Sequence, residues 1–245
     1  MHLEEATWTD ADAAETDLAL LPVGSTEQHG PHAPLGTDTV TARAIADAAA
    51  EAHDGEVIVA PPVPVGVAEE HRQFTGTLWV TPETFRAYVR ETVASLAHHG
   101  WDRVVVVNGH GGNVPALEEV CARIVRHDAA YAVPFTWFEG VDEHASDMGH
   151  GGPLETALLR CVAPELVRED RIEEAREGAA ERWGEWLSRV NLAVDSAEFT
   201  ENGVVGDPAE GDAERGEELL ALASAALAEL LETVADRDVS RPAHR

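Results

Sequence analysis

The chain has 245 residues, 44% of them hydrophobic, and a formal net charge of -29 from 46 acidic and 17 basic residues; that length can bury a sizeable core in one domain spanning residues 1–245. Every basic residue is Arg and none is Lys. So strong a negative balance excludes nucleic acid and anionic membrane as partners, and it resembles the surface of salt-adapted proteins, whose repulsion is screened over a few ångströms.

Apolar runs alternate with amphipathic helical patterns along the chain, which predicts a mainly parallel sheet covered by helices, a three-layer α/β/α sandwich. The acidic N-terminal stretch lacks the basic and apolar regions of a leader, and no run approaches a membrane span, so the expected location is cytoplasmic. Residues 18–23 form the first predicted strand. A helix follows over 39–53, closed by Gly55, and then a strand over 56–60 stopped by Pro61 and Pro62. The best-marked helix starts with Thr81 as N-cap and Pro82 at its first position, continues through Phe85, Val89, Val93 and Leu96, and ends before Gly100.

Residues 103–107 read as a central buried strand, four valines after an Arg. A Gly-rich turn, NGHGGN, leads into a helix from Pro115 to about Arg126. A shorter apolar piece at 130–137 precedes a polar loop at 139–152, and a helix begins at Pro153 with Glu155 in its first turn. The Glu, Arg and Ala-rich region 168–189 is expected to form one or two solvated helices, 191–212 to be irregular, and 214–235 to be a helix packed on the sheet. The residues up to Arg245 are expected to fray. Cys121 and Cys161 sit in helical apolar patterns, as core thiols rather than a disulfide pair.

The chemistry gathers in the stretch LALLPVGSTEQHGPHAPLGTD, which places Glu27, His29, His32 and Asp38 within twelve residues. In extended backbone, Glu27 and His29 leave the chain on the same side, and Asp38, just before a helix, could turn back toward them. Carboxylate and imidazole together suit Zn, Mn or Fe(II). His110 lies past the carboxyl end of the valine strand, where ligands bind in open parallel sheets. Each residue also has a plainer reading. Asp38 could be an N-cap, Glu155 a helix-dipole partner, and the His110 turn an anion cradle. His71 and His150 could be polar loop residues.

The stretches GSTEQHGPHAPLGTD, EHRQFTGT, NGHGGN and HGGPLET, in this order and spacing, resemble the creatininase family of metal-dependent amidohydrolases. The resemblance implies a three-layer α/β sandwich, a homo-oligomer, often a hexamer, and hydrolysis of a carbon–nitrogen bond other than a peptide bond in a small-molecule amide. It implies two divalent ions held by Glu27, His29, Asp38 and His110, with Asp38 bridging, and Glu155 as the last ligand in place of the Glu that creatinine-hydrolysing members carry where Gly112 stands. The ions would lower the pKa of a bound water from about 15.7 to about 7. His150 would pass a proton to the leaving nitrogen, and backbone amides of Gly111, Gly112 and Asn113 would steady the oxyanion.

Gly149 and Ser146 also depart from the creatinine-hydrolysing pattern. The NGHGGN form is similar to an archaeal branch that removes formate from a formylamino ribosylaminopyrimidine phosphate, with Arg72 as the phosphate contact, and this deformylase is the leading specific expectation. Creatinine hydrolysis and peptide trimming in redox-cofactor maturation are the alternatives within the family. A non-catalytic anion- or metal-binding protein is the alternative outside it.

Overall fold

The computed structural model describes residues 1–240; the fraying expected toward Arg245 lies, for residues 241–245, outside the described residues. Four strands, β1 (Leu18–Val23), β2 (Ile58–Val59), β3 (Arg103–Asn108) and β4 (Tyr131–Thr136), form one parallel sheet in the order β2-β1-β3-β4. A short helix, α1 (Trp8–Asp12), capped by Thr7 and Asp10, precedes them. The helices between and after the strands are α2 (Thr37–Ala52), α3 (Pro82–His98), α4 (Val114–His127), α5 (Pro153–Val162), α6 (Ile172–Glu177) and α7 (Ala213–Asp236).

Alternation along the strands divides the core in two, because successive side chains leave a strand on opposite faces. Leu18, Leu20, Val105 and Val107 meet α2, α5 and α7 through Ile45, Leu158, Leu219 and Leu227. Ala19, Leu21, Val104 and Val106 meet α3 and α4 through Phe85, Val89, Leu117 and Ile124. This is the expected three-layer arrangement. Thr81 accepts a hydrogen bond from the Thr84 N–H at 3.3 Å at the start of α3, and Phe85, Val89, Val93 and Leu96 are its buried stripe.

The register aligns the carboxyl ends of the strands, with Val23 opposite Asn108 and Asn108 opposite Thr136. Asn113 binds these ends together. Its Nδ2–H donates to the Gly24 carbonyl at 3.1 Å, and its Oδ1 accepts the Val67 N–H at 3.0 Å.

Two expectations are met only in part. Of the one or two solvated helices expected in 168–189, α6 is present, preceded by a 3-10 turn at Glu169–Arg171; the later part turns into a small antiparallel hairpin, β5 (Trp186–Leu187) with β6 (Val190–Asn191). Gly178 ends α6, and an apolar stripe long enough to hold a longer helix on the core is missing: Ala175 is its only buried residue. The strand expected at 56–60 narrows to two paired residues, with Pro61 and Pro62 following. The irregular segment 191–212 returns to the site, because His150 and Val205 exchange two backbone hydrogen bonds at 3.0 and 2.8 Å.

Candidate metal centre

Past the carboxyl ends of β1 and β3 the chain places six buried ionisable residues together: Glu27, His29, Asp38, His110, His150 and Glu155. Asp38 is at their centre. It lies in the first turn of α2, not ahead of it, and Gly36 rather than Asp38 is the N-cap, so its carboxylate is free to face the strand ends. His29 Nε2 is 3.0 Å from Asp38 Oδ1 and 3.5 Å from Glu155 Oε1. On the other side, His110 Nδ1 is 3.1 Å from Glu27 Oε1 and 3.5 Å from Asp38 Oδ2. One carboxylate thus serves both halves of the cluster.

The rings are oriented by main-chain carbonyls. His29 Nδ1–H donates to the Glu27 carbonyl at 3.1 Å, His110 Nε2–H to Val67 at 2.7 Å and His150 Nε2–H to Gln28 at 2.5 Å. Each histidine therefore turns its other nitrogen inward, which is how a protein fixes a ligating tautomer. Glu155 Oε2 accepts the Gly151 N–H at 2.6 Å, leaving Oε1 for the cluster.

Buried polar atoms without partners test whether a cation fits. With the rings in these neutral tautomers, both Glu27 carboxylate oxygens, His29 Nε2 and Asp38 Oδ2 are buried and have no hydrogen-bond partner among the described residues. Such atoms are costly unless something binds them. Three groups of donors, Glu27 with Asp38 and His110, His29 with His150 and Glu155, and Glu27 with His71 and His150, each lie within 4.8 Å of one another. Oxygen and imidazole donors at this spacing fit divalent first-row ions.

Electrostatics agrees. Without a cation, burial and then the neighbouring Glu27 charge raise the Asp38 pKa. Burial opposes charge on His29 and His110, but Asp38 and Glu155 raise the first and Glu27 raises the second to about 10. Burial also opposes charge on Glu155, yet His29 outweighs it and holds the carboxyl at about 2. Protons thus stand on the two histidines where a cation would otherwise balance the carboxylates.

Above the cluster is a cavity of about 330 Å³ walled by Phe138, Met148 and Trp183, with His71, His110, His150, Glu70, Glu155 and the glycines 111, 112 and 149 on its lining. Asn113 does not reach it: its amide is consumed in joining the strand ends, and its own N–H donates to the His110 carbonyl at 3.2 Å. Nor does Arg72, whose guanidinium is 2.9 Å from Asp195 Oδ2 and 3.4 Å from Glu69 Oε1 beside an adjoining cleft. His32 is buried outside the cluster against Thr156 Oγ1 at 2.9 Å.

At Gly112 a Cβ would stand 2.2 Å from the Val67 carbonyl oxygen, and at Gly149 one would stand 2.0 Å from that of Val205. Backbone fills both places where creatinine-hydrolysing members are expected to carry Glu. Sequence reading set aside His71, and did not single out Glu70, Trp183 or Gln28. The signal for Glu70 and His71 is the EHRQFTGT stretch and that for Gln28 its place between Glu27 and His29, while nothing in the sequence marks Trp183.

A parallel sheet whose carboxyl edge gathers three carboxylates and three imidazoles around a cavity defines a metal-dependent hydrolase. The model of the creatininase family, described as creatinine amidohydrolase, matches residues 4–231, and the chain belongs to that family of metal-dependent amidohydrolases. A mycofactocin precursor peptide peptidase of Mycobacterium ulcerans is 36% identical over 209 residues, 82% of this chain and 79% of that protein. The crystal structure of a creatinine amidohydrolase-type protein from Bacteroides fragilis is similar with a TM-score of 0.82 and 25% identity over 98% of both chains. A manganese creatininase shares the fold at a TM-score of 0.77, with 24% identity over 96% of this chain and 99% of that one.

Proposed function

We propose that Glu27, Asp38 and His110 hold one divalent ion and His29, Asp38 and Glu155 a second, and that the enzyme hydrolyses an amide of a short peptide. The observation that carries the metal assignment is Asp38, with one oxygen turned toward each histidine and no partner for Oδ2. Zn, Mn and Fe(II) all suit these donors. When bound, such ions activate water and polarise an amide carbonyl.

The chain's own groups do the rest. His150 presents an unprotonated Nδ1 to the site, because burial disfavours a second proton on the ring and its Nε2–H is committed to the Gln28 carbonyl. It can take the proton that the attacking water loses and return it to the leaving nitrogen. Phe138, Met148 and Trp183 offer apolar walls for a substrate side chain and exclude water.

Peptide is favoured over a phosphorylated nucleotide because no Arg among the described residues lines the cavity and Arg72 is engaged by two carboxylates. The deformylase expectation therefore has no support here, while the mycobacterial relative is named for a peptide substrate. Hydrolysis of a small cyclic amide such as creatinine is the second reading, supported by the family description. A homo-oligomer is supported by the exposed apolar run Trp186, Leu187, Val190, Leu192 and Val194.

The test is to load the protein with Mn or Zn, count metal per chain, and follow by mass spectrometry a panel of short peptides, creatinine and the formylamino pyrimidine nucleotide. Two ions with peptide cleavage is the expected result. Two ions with turnover of creatinine alone would replace the peptide reading, and no bound metal would return the non-catalytic binding protein.

A further inference from the structure

His71 sits on the cavity wall beside the cluster but is wired differently from the three histidines above. Its Nδ1 is 2.8 Å from Gln28 Nε2 and 3.0 Å from Ser196 Oγ. Which way the Gln28 amide points is settled by its other neighbours. Gly30 N–H donates to Gln28 Oε1 at 2.9 Å, and Gln28 Nε2 donates to the Gly203 carbonyl at 3.0 Å. The group facing His71 is therefore an N–H, and Nδ1 is its acceptor; the Ser196 hydroxyl, 3.0 Å from both the Glu70 carbonyl and Nδ1, can turn either way and does not decide the tautomer. A neutral imidazole that accepts at one nitrogen carries its proton on the other, so the proton is on Nε2.

That Nε2–H points into the site, 3.5 Å from Glu27 Oε1, a separation too long for a strong hydrogen bond. The ring is held rigidly. It stacks on His150 with centroids 4.2 Å apart and meets the Trp183 edge at 5.5 Å. A donor fixed in place on a water-poor wall is the arrangement that stabilises charge developing on a carbonyl oxygen.

We propose that His71 is not a metal ligand but a permanent Nε2–H donor to the carbonyl oxygen of the scissile amide, and that Gln28 is the positioning residue that fixes its tautomer. No proton is transferred by His71 in this role; it donates the same hydrogen bond before and after the bond is cleaved. The ligand class is any amide whose carbonyl gains negative charge. The catalytic half of the proposal rests on the hydrolase reading, whereas the tautomer does not.

Nitrogen-15 NMR of the Zn-loaded, histidine-labelled protein reads the tautomer directly. The expected result is a neutral His71 with a protonated Nε2 and an unprotonated, hydrogen-bonded Nδ1. A protonated Nδ1 with Nε2 on the metal would overturn the proposal whatever the substrate proves to be. In parallel, His71→Gln keeps an N–H donor and His71→Phe removes it. Metal content should be unchanged in both, while kcat on the best substrate of the panel falls roughly 10²- to 10³-fold for His71→Phe with KM nearly constant, and recovers in part for His71→Gln. Loss of metal from folded His71→Gln, or wild-type kcat in His71→Phe, would each reject the donor role. Gln28→Glu should turn the ring over, moving the NMR proton from Nε2 to Nδ1; an unchanged spectrum would reject Gln28 as the lock.

Discussion

Replacing Gly109 by Ala would disturb the metal centre without touching any proposed ligand. An ideal Cβ at Gly109 stands 2.2 Å from the Asp38 carbonyl oxygen, 2.9 Å from its carbonyl carbon and 3.1 Å from its Cα. Ordinary contact begins near 3.4 Å, so the first turn of α2 must retreat by 3.4 minus 2.2, or about 1.2 Å. Asp38 lies only 3.0 and 3.5 Å from the two histidines it serves, and a displacement of that size removes it from at least one of them. Misplacement by about 1 Å can cost roughly 10²-fold in rate, and overpacking of this kind costs about 1–3 kcal/mol of stability. Metal per chain measured by mass spectrometry should fall toward one, while thermal denaturation shows a protein still folded. Gly111→Ala is the control, since nothing among the described residues lies within 4 Å of its Cβ, and it should retain both ions. If Gly109→Ala bound two ions and turned over at the wild-type rate, the bridging role of Asp38 would be wrong.

Further outcomes can be measured on the same material. Glu155→Gln should leave one ion per chain by metal analysis, because His29 loses its second anionic neighbour; two retained ions would remove Glu155 from the ligand set. Phe85→Ala, at a fully buried position in α3, should cost about 3–5 kcal/mol by denaturant unfolding without altering metal content. For the metal-free protein, in which His29 carries a proton, thermal stability should drop as pH falls from about 6.5 to about 4. Burial first, and His29 next, depress His32 and His150 to about 4 in the fold, so only the unfolded chain takes up those protons in that window. The same metal-free protein should behave oppositely at high pH. His110 is raised to about 10 in spite of burial, so its contribution is complete below about 6.5 and disappears as pH rises through about 10. The stabilisation gained on adding Zn or Mn should therefore grow between those values, and a pH-independent gain would contradict the proton-for-metal exchange.

The sheet and most helices were legible because they rest on local signals. The valine run 104–107 is buried on both faces as the sequence implies, and the Thr81, Pro82 and Phe85 pattern marks α3 to the residue. The first motif was legible because Glu27, His29 and Asp38 are close in sequence. What escaped depends on long-range placement. The Arg72 partner is Asp195, 123 positions further along the chain, and the Asn113 amide is consumed by Gly24, 89 positions away. His71 read as a loop residue because its ring nitrogen meets Gln28 and Ser196, 43 and 125 positions away, which no spacing rule connects to it. Trp183 escaped because the region around it was expected to be helical, and helical periodicity there was only compositional.

The carbonyl of Val67 behind Gly112 and that of Val205 behind Gly149 also bear on how substrate preference can drift. A protein whose specificity rests on side chains can be retuned one codon at a time. Here the two positions that would carry the creatinine-type carboxylates are closed by main chain, so a single substitution at either would distort the strands and turns that support the centre before it could offer a new contact. Passage toward the creatinine-hydrolysing pattern would require the segments around 67 and 205 to be rerouted first. An engineer seeking that activity would gain more from exchanging those two loops as blocks than from saturating the cavity lining.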